Sequence, residues 1–357
     1  MTMPINLGLI GCGRIARLVH LSSIKKLHGA RLAAVSDIDG DCANAAARAA
    51  PGARVYTDYK ELLRSGDVDA VVICLPTFLH AEAASEAFDH GKHVYLEKPL
   101  AQNSEEAARV MEAWEKSGKC GMSGLNLRFN PIYAALKEKV GSGAAGSINA
   151  VRTVFTSSSR NLPEWKRKRE TGGGVLLDLA SHHADLLRYI FGAEVAWVKA
   201  GMESRESEDD NAFVELRMEN GIRVQSFFSL NSTDEDKIEV YGSKGKLTAD
   251  RYNSFGVTFT PAGRARGSLG KLADRLSQIP GSPVLKDRLL GTGREPSFEL
   301  ALGHFAASIS GGFHPSPGLA DGLASLKIIE AAEESAGTGR AVSTGGRPRS
   351  GREEANA

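Results

Sequence analysis

The chain has 357 residues, 42% of them hydrophobic, which is enough for two domains with a sizeable buried core. Its net charge of +1, with both signs evenly mixed, leaves no electrostatic footprint for nucleic acid or an anionic membrane surface. No apolar run approaches the ~20 residues of a transmembrane helix, and Met1 to Leu7 lacks the basic segment and apolar core of a signal peptide, so a cytoplasmic protein with small-molecule partners is expected.

Ile5 to Ile10 reads as a short strand that runs into Gly11-Cys12-Gly13-Arg14-Ile15-Ala16, the opening of a helical pattern that continues to about Leu27. In a Gly-x-Gly-x-x-Ala loop, Gly11 permits the tight turn, Gly13 lets a pyrophosphate approach the backbone and Ala16 lets helix pack on strand. The helix amino terminus supplies the anion site. A second strand, Arg31 to Ser36, ends in Asp37, where a carboxylate accepts hydrogen bonds from an adenosine ribose and repels a 2'-phosphate, which favours NAD over NADP.

Helices are expected at Asp41 to Ala50, around Tyr59 to Leu63, up to Asp89 with Thr77 as the amino-terminal cap, and from Ser104 to Lys116. Strands are expected at Val55-Tyr56, Ala70 to Leu75, His93 to Leu96 and Lys119 to Ser123. This alternation predicts a doubly wound parallel sheet over residues 1–124. Strand His93 to Leu96 delivers Glu97 and Lys98 at its carboxyl end, where open parallel sheets bind ligands, and Pro99 stiffens the turn that holds the lysine.

After a helix at Ile132 to Val140 the strands lengthen and lose their intervening helices: Ile148 to Thr156, Val195 to Met202, Ala212 to Met218, Ile222 to Phe228 and Lys237 to Tyr241. They imply an α+β domain with a largely antiparallel open sheet over 125–340, closed by a helix at Leu319 to Ser335, with a disordered tail at 341–357. Pro261 to Glu295, rich in Gly, Pro, Arg and Lys, reads as a partly ordered insertion. Cys12, Cys42, Cys74 and Cys120 are widely spaced with no Cys-x-x-Cys pair, so they read as free buried thiols, and no metal site is expected.

Within this second domain, Gly172-Gly173-Gly174 precedes a helix from Val175 to Phe191. Leu176, Leu179, Ala180, His183, Leu186, Leu187 and Ile190 share one face, which makes His183 a hydrogen-bonded core histidine. Asp178, His182, Asp185 and Tyr189 share the opposite face, which lacks the Lys and Glu of an ordinary solvated stripe and so suggests a site. Asp178 and His182 are one turn apart, close enough for the carboxylate to orient the imidazole. The triple glycine would admit another chain segment or a cofactor. The run Arg160 to Arg169 brings cations near the pocket mouth, although charge runs as a rule face water.

Together, Gly11-x-Gly13-Arg14-Ile15-Ala16, Pro76-Thr77-x-x-His80, Gly91-Lys92-His93-Val94 leading to Glu97-Lys98-Pro99-Leu100, Asn126-x-Arg128-Phe129, and Gly172-Gly173-Gly174 with Asp178 and His182 resemble the Gfo/Idh/MocA oxidoreductases over roughly residues 5 to 335. The resemblance implies a Rossmann domain, an α+β domain whose open sheet often forms an oligomer interface, and a bound nicotinamide cofactor held along Gly11, Gly13, Arg14, Ile15, Asp37, Pro76, His80, Glu97 and Lys98. It also implies a sugar or polyol substrate facing Lys98, Asn126, Arg128, Trp165, Asp178 and His182, with Lys98, Asp178 and His182 catalytic. Ala180 departs from the glycine common in the family at that position, at no cost to a helix. An NAD-dependent dehydrogenase is the leading expectation, with a non-enzymatic NAD-binding regulator or a glycoside-cleaving enzyme of the same family as alternatives.

Overall fold

The computed structural model describes residues 4–158, 162–263 and 295–345. Residues 264–294 of the expected insertion, Arg160 and Asn161 of the basic run, and 346–357 of the expected tail lie outside the described residues.

Strands β1 (Ile5–Ile10), β2 (Ala30–Ser36), β3 (Arg54–Tyr56), β4 (Ala70–Ile73), β5 (His93–Leu96) and β6 (Gly121–Ser123) form a parallel sheet in the order β3-β2-β1-β4-β5-β6. Every side chain of β4 is buried, as expected of a parallel strand covered by helices on both faces. The crossovers carry α1 (Leu21–Ile24), entered through a π-helical turn at Ala16–His20, then α2 (Gly40–Arg48), α3 (Tyr59–Arg64), α4 (His80–Asp89) and α5 (Ser104–Ser117). Local chemistry sets their starts: the side chains of Asp39, Asp58 and Asn103 accept the first free amides of α2, α3 and α5. Thr77 does not cap α4. It sits in a 3-10 turn, Thr77–Leu79, and is buried. Strand order reverses between β1 and β4, so the crevice at their carboxyl ends is where a ligand belongs.

Beyond α6 (Pro131–Gly141) lies a mixed sheet of β7 (Ile148–Thr156), β8 (Val195–Glu203), β9 (Asn211–Met218), β10 (Arg223–Ser229), β11 (Glu235–Gly242), β12 (Gly245–Asp250), β13 (Thr258–Pro261) and β14 (Val342–Ser343). Its order is β13-β12-β11-β7-β10-β9-β8-β14, and only β7 and β10 run parallel. One face is covered by α7 (Ser181–Phe191) and α9 (Leu319–Thr338); the other carries Phe213, 56% exposed and stacked on Phe227 at 4.9 Å.

Two features depart from the expected division of the chain. Helix α8 (Ser297–Gly311) returns to the first sheet, where Ala301, Leu302, Phe305 and Ala306 are buried in one cluster with Leu7, Leu9, Val35 and Val72, and Phe305 meets Tyr95 edge-on at 5.9 Å. Residues 125–340 therefore do not pack as one unit: about 1.5–3 kcal/mol for each large apolar side chain of α8 goes to the Rossmann half. Residues 342 and 343, placed in the tail by composition, pair with Val198 and Trp197 as the edge strand β14. All four cysteines are free. Among the described residues no helix is long and apolar enough to cross a membrane.

Candidate functional site

The crevice at β1 and β4 starts with the glycine loop. Gly11 has φ +87°, and a Cβ there would lie 2.7 Å from the Cys74 carbonyl oxygen, so only glycine fits this crossing of the loop over β4. A Cβ on Gly13 would meet nothing within 4 Å, so the surface over the helix start is open to a phosphate. Asp37 is fixed between the loop and α2: its Oδ2 accepts from the Cys12 amide at 2.7 Å and its Oδ1 from the Asp39 amide at 2.9 Å. Each oxygen keeps a lone pair for a ribose hydroxyl. Arg14 and Ile15 are exposed at the head of the helix. These residues fit a dinucleotide.

The other residues expected along the cofactor path lie deeper. Glu97 turns inward, 7% exposed, with Oε1 2.7 Å from His20 Nε2. His80 is 1% exposed, its Nδ1 2.7 Å from the Pro99 carbonyl and its Nε2 2.9 Å from that of Leu75. Buried beneath the Lys98-Pro99 turn, His80 supports the turn and offers a ligand no surface. Burial pulls its pKa below the ordinary imidazole value against the raising effect of both carbonyls.

That support aims Lys98 across the domain boundary. Its Nζ donates to the Asp178 carbonyl oxygen at 2.6 Å and to Asp178 Oδ1 at 2.9 Å. Asp178 lies in a π-helical turn, Leu176–Ala180, that feeds α7, and His182 follows one turn later. Turns of this kind interrupt helices frequently at functional sites. The triple glycine makes the approach possible through chain packing. A Cβ on Gly172 would lie 2.4 Å from Thr77 Cβ, and one on Gly173 would lie 2.3 Å from the Lys166 carbonyl oxygen.

The pairing expected between Asp178 and His182 is not formed. Asp178 Oδ1 accepts instead from Lys98 and from Lys166 Nζ at 2.8 Å, and neither ring nitrogen of His182 hydrogen-bonds a described residue. Burial alone would raise the Asp178 carboxyl, but the Lys166 and Lys98 ammoniums outweigh it and hold the group well below the usual carboxylate range. Burial, with help from Lys98 and Arg251, pulls His182 well below 6.5 and overcomes the opposite pull of Asp178 and Asp236. His182 is therefore a neutral imidazole at physiological pH. Lys166 appeared in the sequence only as one charge in a basic run, with no spacing to single it out.

Two residues expected to face substrate hold the framework instead. Asn126 is buried and donates to Ser297 Oγ at 2.6 Å, tying the domain entry to α8. Arg128 grips Asp185 through Nε at 2.8 Å and a second nitrogen at 2.5 Å, and reaches Asp321 at 2.8 Å and Ser316 Oγ at 3.2 Å. Asp185 thus leaves the polar stripe for the interior, where burial pushes its carboxyl up to about 6 against Arg128. Trp165 is half-buried on a 3-10 turn, Glu164–Lys166, with its carbonyl held by Thr171 Oγ1 at 2.7 Å. His183 packs in the core, stacked on Phe155 at 5.3 Å, with Nε2 2.9 Å from Asp236 Oδ1. Among the described residues no group of His, Cys, Asp and Glu could hold a metal ion.

Residues 5–125 match the model described as "Oxidoreductase family, NAD-binding Rossmann fold", and residues 133–248 match the Gfo/Idh/MocA C-terminal domain. Myo-inositol 2-dehydrogenase of Thermotoga maritima is 33% identical over 272 residues, 73% of this chain and 80% of that protein. The chain belongs to the Gfo/Idh/MocA oxidoreductase family. Another member, 1,5-anhydro-D-fructose reductase of Ensifer adhaerens, is 30% identical over 94% of this chain and 97% of its own. The crystal structure of a probable dehydrogenase from Thermotoga maritima, 27% identical, superposes with a TM-score of 0.77 over 95% of this chain and 99% of that one.

The family's NAD-binding Rossmann fold spans residues 5–125, and within it the glycine loop and Asp37 have the geometry to receive the dinucleotide. NAD should be preferred over NADP, because the Asp37 side chain would face the 2'-phosphate and no Arg or Lys follows it before Arg48. Asp37→Ala is expected to shrink the NAD/NADP ratio of kcat/KM by at least ~10-fold, roughly the effect of one charge-assisted contact. An unchanged ratio, or a wild type that favours NADP, would refute this role.

Proposed function

We propose that this chain is an NAD-dependent dehydrogenase acting on a CH-OH group of a sugar or polyol, with Lys98, Asp178 and His182 around the reacting carbon. The relatives named above act on inositol and on an anhydro sugar, which supports that substrate class. The observation that carries the reading is the contact of Lys98, from the carboxyl edge of β5, with Asp178 of the second domain, one turn before a neutral His182.

When bound, NAD supplies the hydride acceptor. The protein's own residues must position the carbinol, take its proton and stabilise negative charge on its oxygen. His182, uncharged and with neither ring nitrogen hydrogen-bonded to a described residue, is placed to accept that proton. The Lys98 ammonium, held by Asp178, donates to the oxygen as its charge develops. Asp178 fixes the direction of the ammonium and stays ionised throughout. A screen of polyols and sugars that follows cofactor reduction by near-ultraviolet absorbance tests the reading. Cleavage of a glycoside without net reduction, or no turnover of any carbinol, would overturn it.

The acid limb of kcat/KM for oxidation should lie below pH 6.5, because a base whose pKa is depressed keeps its accepting form as pH falls past the ordinary imidazole value. A limb at or above 6.5 would argue against His182. We also place the protein in the cytoplasm as a homo-oligomer assembled through the outer sheet face around Phe213 and Phe227. Phe213→Glu should then release monomers in sedimentation analysis, and an unchanged mass would exclude this face.

A further inference from the structure

Lys166 has no part in the mechanism above, yet it is built into the site with care. It closes the 3-10 turn Glu164–Lys166, where its amide bonds the Pro163 carbonyl at 2.9 Å. Its carbonyl sits where any side chain on Gly173 would collide, so the turn is pressed directly onto the start of the Asp178 helix. Its stem leaves the side chain 29% exposed, and the ammonium lies 5.4 Å from the centre of the Trp165 ring. Its neighbours Arg167 and Lys168 are exposed; Lys166 alone among the three turns inward.

The consequence is a charge imbalance. Lys98 and Lys166 share a single oxygen, Asp178 Oδ1, at 2.9 and 2.8 Å, so two cations face one anion. The nearby charges are occupied elsewhere. Among the described residues Arg169 pairs with Glu333, Arg251 is shared by Asp236 and Glu295 behind His182, and Glu97 turns away to hydrogen-bond the His20 ring. His182 is neutral. Of the two ammoniums that share the Asp178 carboxylate, one is left without a carboxylate of its own among the described residues. A neutral sugar would desolvate that charge and leave it unpaired, whereas an anion would pair it.

We propose that Lys166 is a specificity-determining residue and that the substrate carries a carboxylate, as a sugar acid does, placed on the Lys166 side of the reacting carbinol. This inference rests on the dehydrogenase reading and deepens it. The carboxylate accepts from Lys166, while Lys98 stays with Asp178 and the carbinol oxygen.

The test is calorimetric binding of D-glucuronate and D-glucose, and of D-galacturonate and D-galactose, to the full-length protein loaded with NADH. In at least one pair the acid should bind at least ~10-fold more tightly than the neutral sugar, the scale of a charge-assisted pair. Lys166→Met should remove that preference while Lys166→Arg keeps it, and Lys166→Gln serves if the Met variant fails to fold. Equal or tighter binding of both neutral sugars, no binding of either acid, or a preference that survives Lys166→Met would overturn the proposal. Cofactor reduction by any carbinol is scored separately. Acid preference without turnover would fail the dehydrogenase reading alone, and turnover without acid preference would fail this inference alone.

Discussion

Replacing Lys98 or His182 with alanine is expected to lower kcat by at least ~100-fold while leaving NAD affinity nearly unchanged, in line with typical acid-base contributions. The two losses differ in origin. Removing Lys98 takes away a donor to the oxygen on which charge develops, an electrostatic effect that in other enzymes amounts to ~3 kcal/mol. It also leaves Asp178 with Lys166 as its remaining cation. Removing His182 takes away the proton acceptor, so activity should return in part at high pH, where hydroxide or an external base can replace it. Activity lost through Lys98 should not return in that way. Near-normal kcat in either variant would remove that residue from the mechanism, and near-normal kcat in both would place the chemistry elsewhere.

Much of this arrangement was legible because it is local. The strand-glycine-helix entry, Asp37 at the end of β2 and Lys98 at the end of β5 each depend on a few adjacent residues and on the rule that parallel sheets bind at their carboxyl edge. What escaped was long-range. Arg128 stands in the Asn126-x-Arg128-Phe129 motif and Asp185 on the polar stripe of its helix, but nothing in their spacing says that they bury each other 57 positions apart instead of facing a ligand. The same holds for Lys166: its inward turn depends on Gly173, whose role is visible only once the loop is folded back. Helix α8 was readable in principle, since Phe298, Leu302, Phe305 and Ile309 recur at helical spacing, but it follows a stretch of insertion-like composition that hid its start. The pKa of His182 could not be inferred from its neighbour at i−4, because burial, Lys98 from the other domain and Arg251 from the turn after β12 decide it.

Behind His182 lies the feature with the largest expected effect on stability. Asp236 on β11 is fully buried and takes the Tyr133 hydroxyl, His183 Nε2 at 2.9 Å and Arg251 Nε at 2.5 Å, while Arg251 goes on to Glu295 at 2.9 Å. Burial would raise the Asp236 carboxyl, but Arg251 and the hydrogen bonds from His183 and Tyr133 hold it well below the usual range. Asp236→Ala leaves a guanidinium, an imidazole and a hydroxyl without their shared acceptor. Deleting one partner of a buried pair typically costs ~3–5 kcal/mol, so the urea midpoint should fall by that amount divided by the m-value. Asp236→Asn, which keeps the shape and one acceptor oxygen, should recover part of the loss. The sign of the pH dependence follows from the depressed carboxyl. Its contribution is fully present above the ordinary aspartate value of 3.8 and declines as pH falls below it toward the folded value, so wild type and Asp236→Ala should converge in stability only under strong acid. A loss under ~0.5 kcal/mol at neutral pH, within the range of ordinary surface substitutions, would show that Arg251 and His183 find other partners and that this network is not what holds β11 against α7.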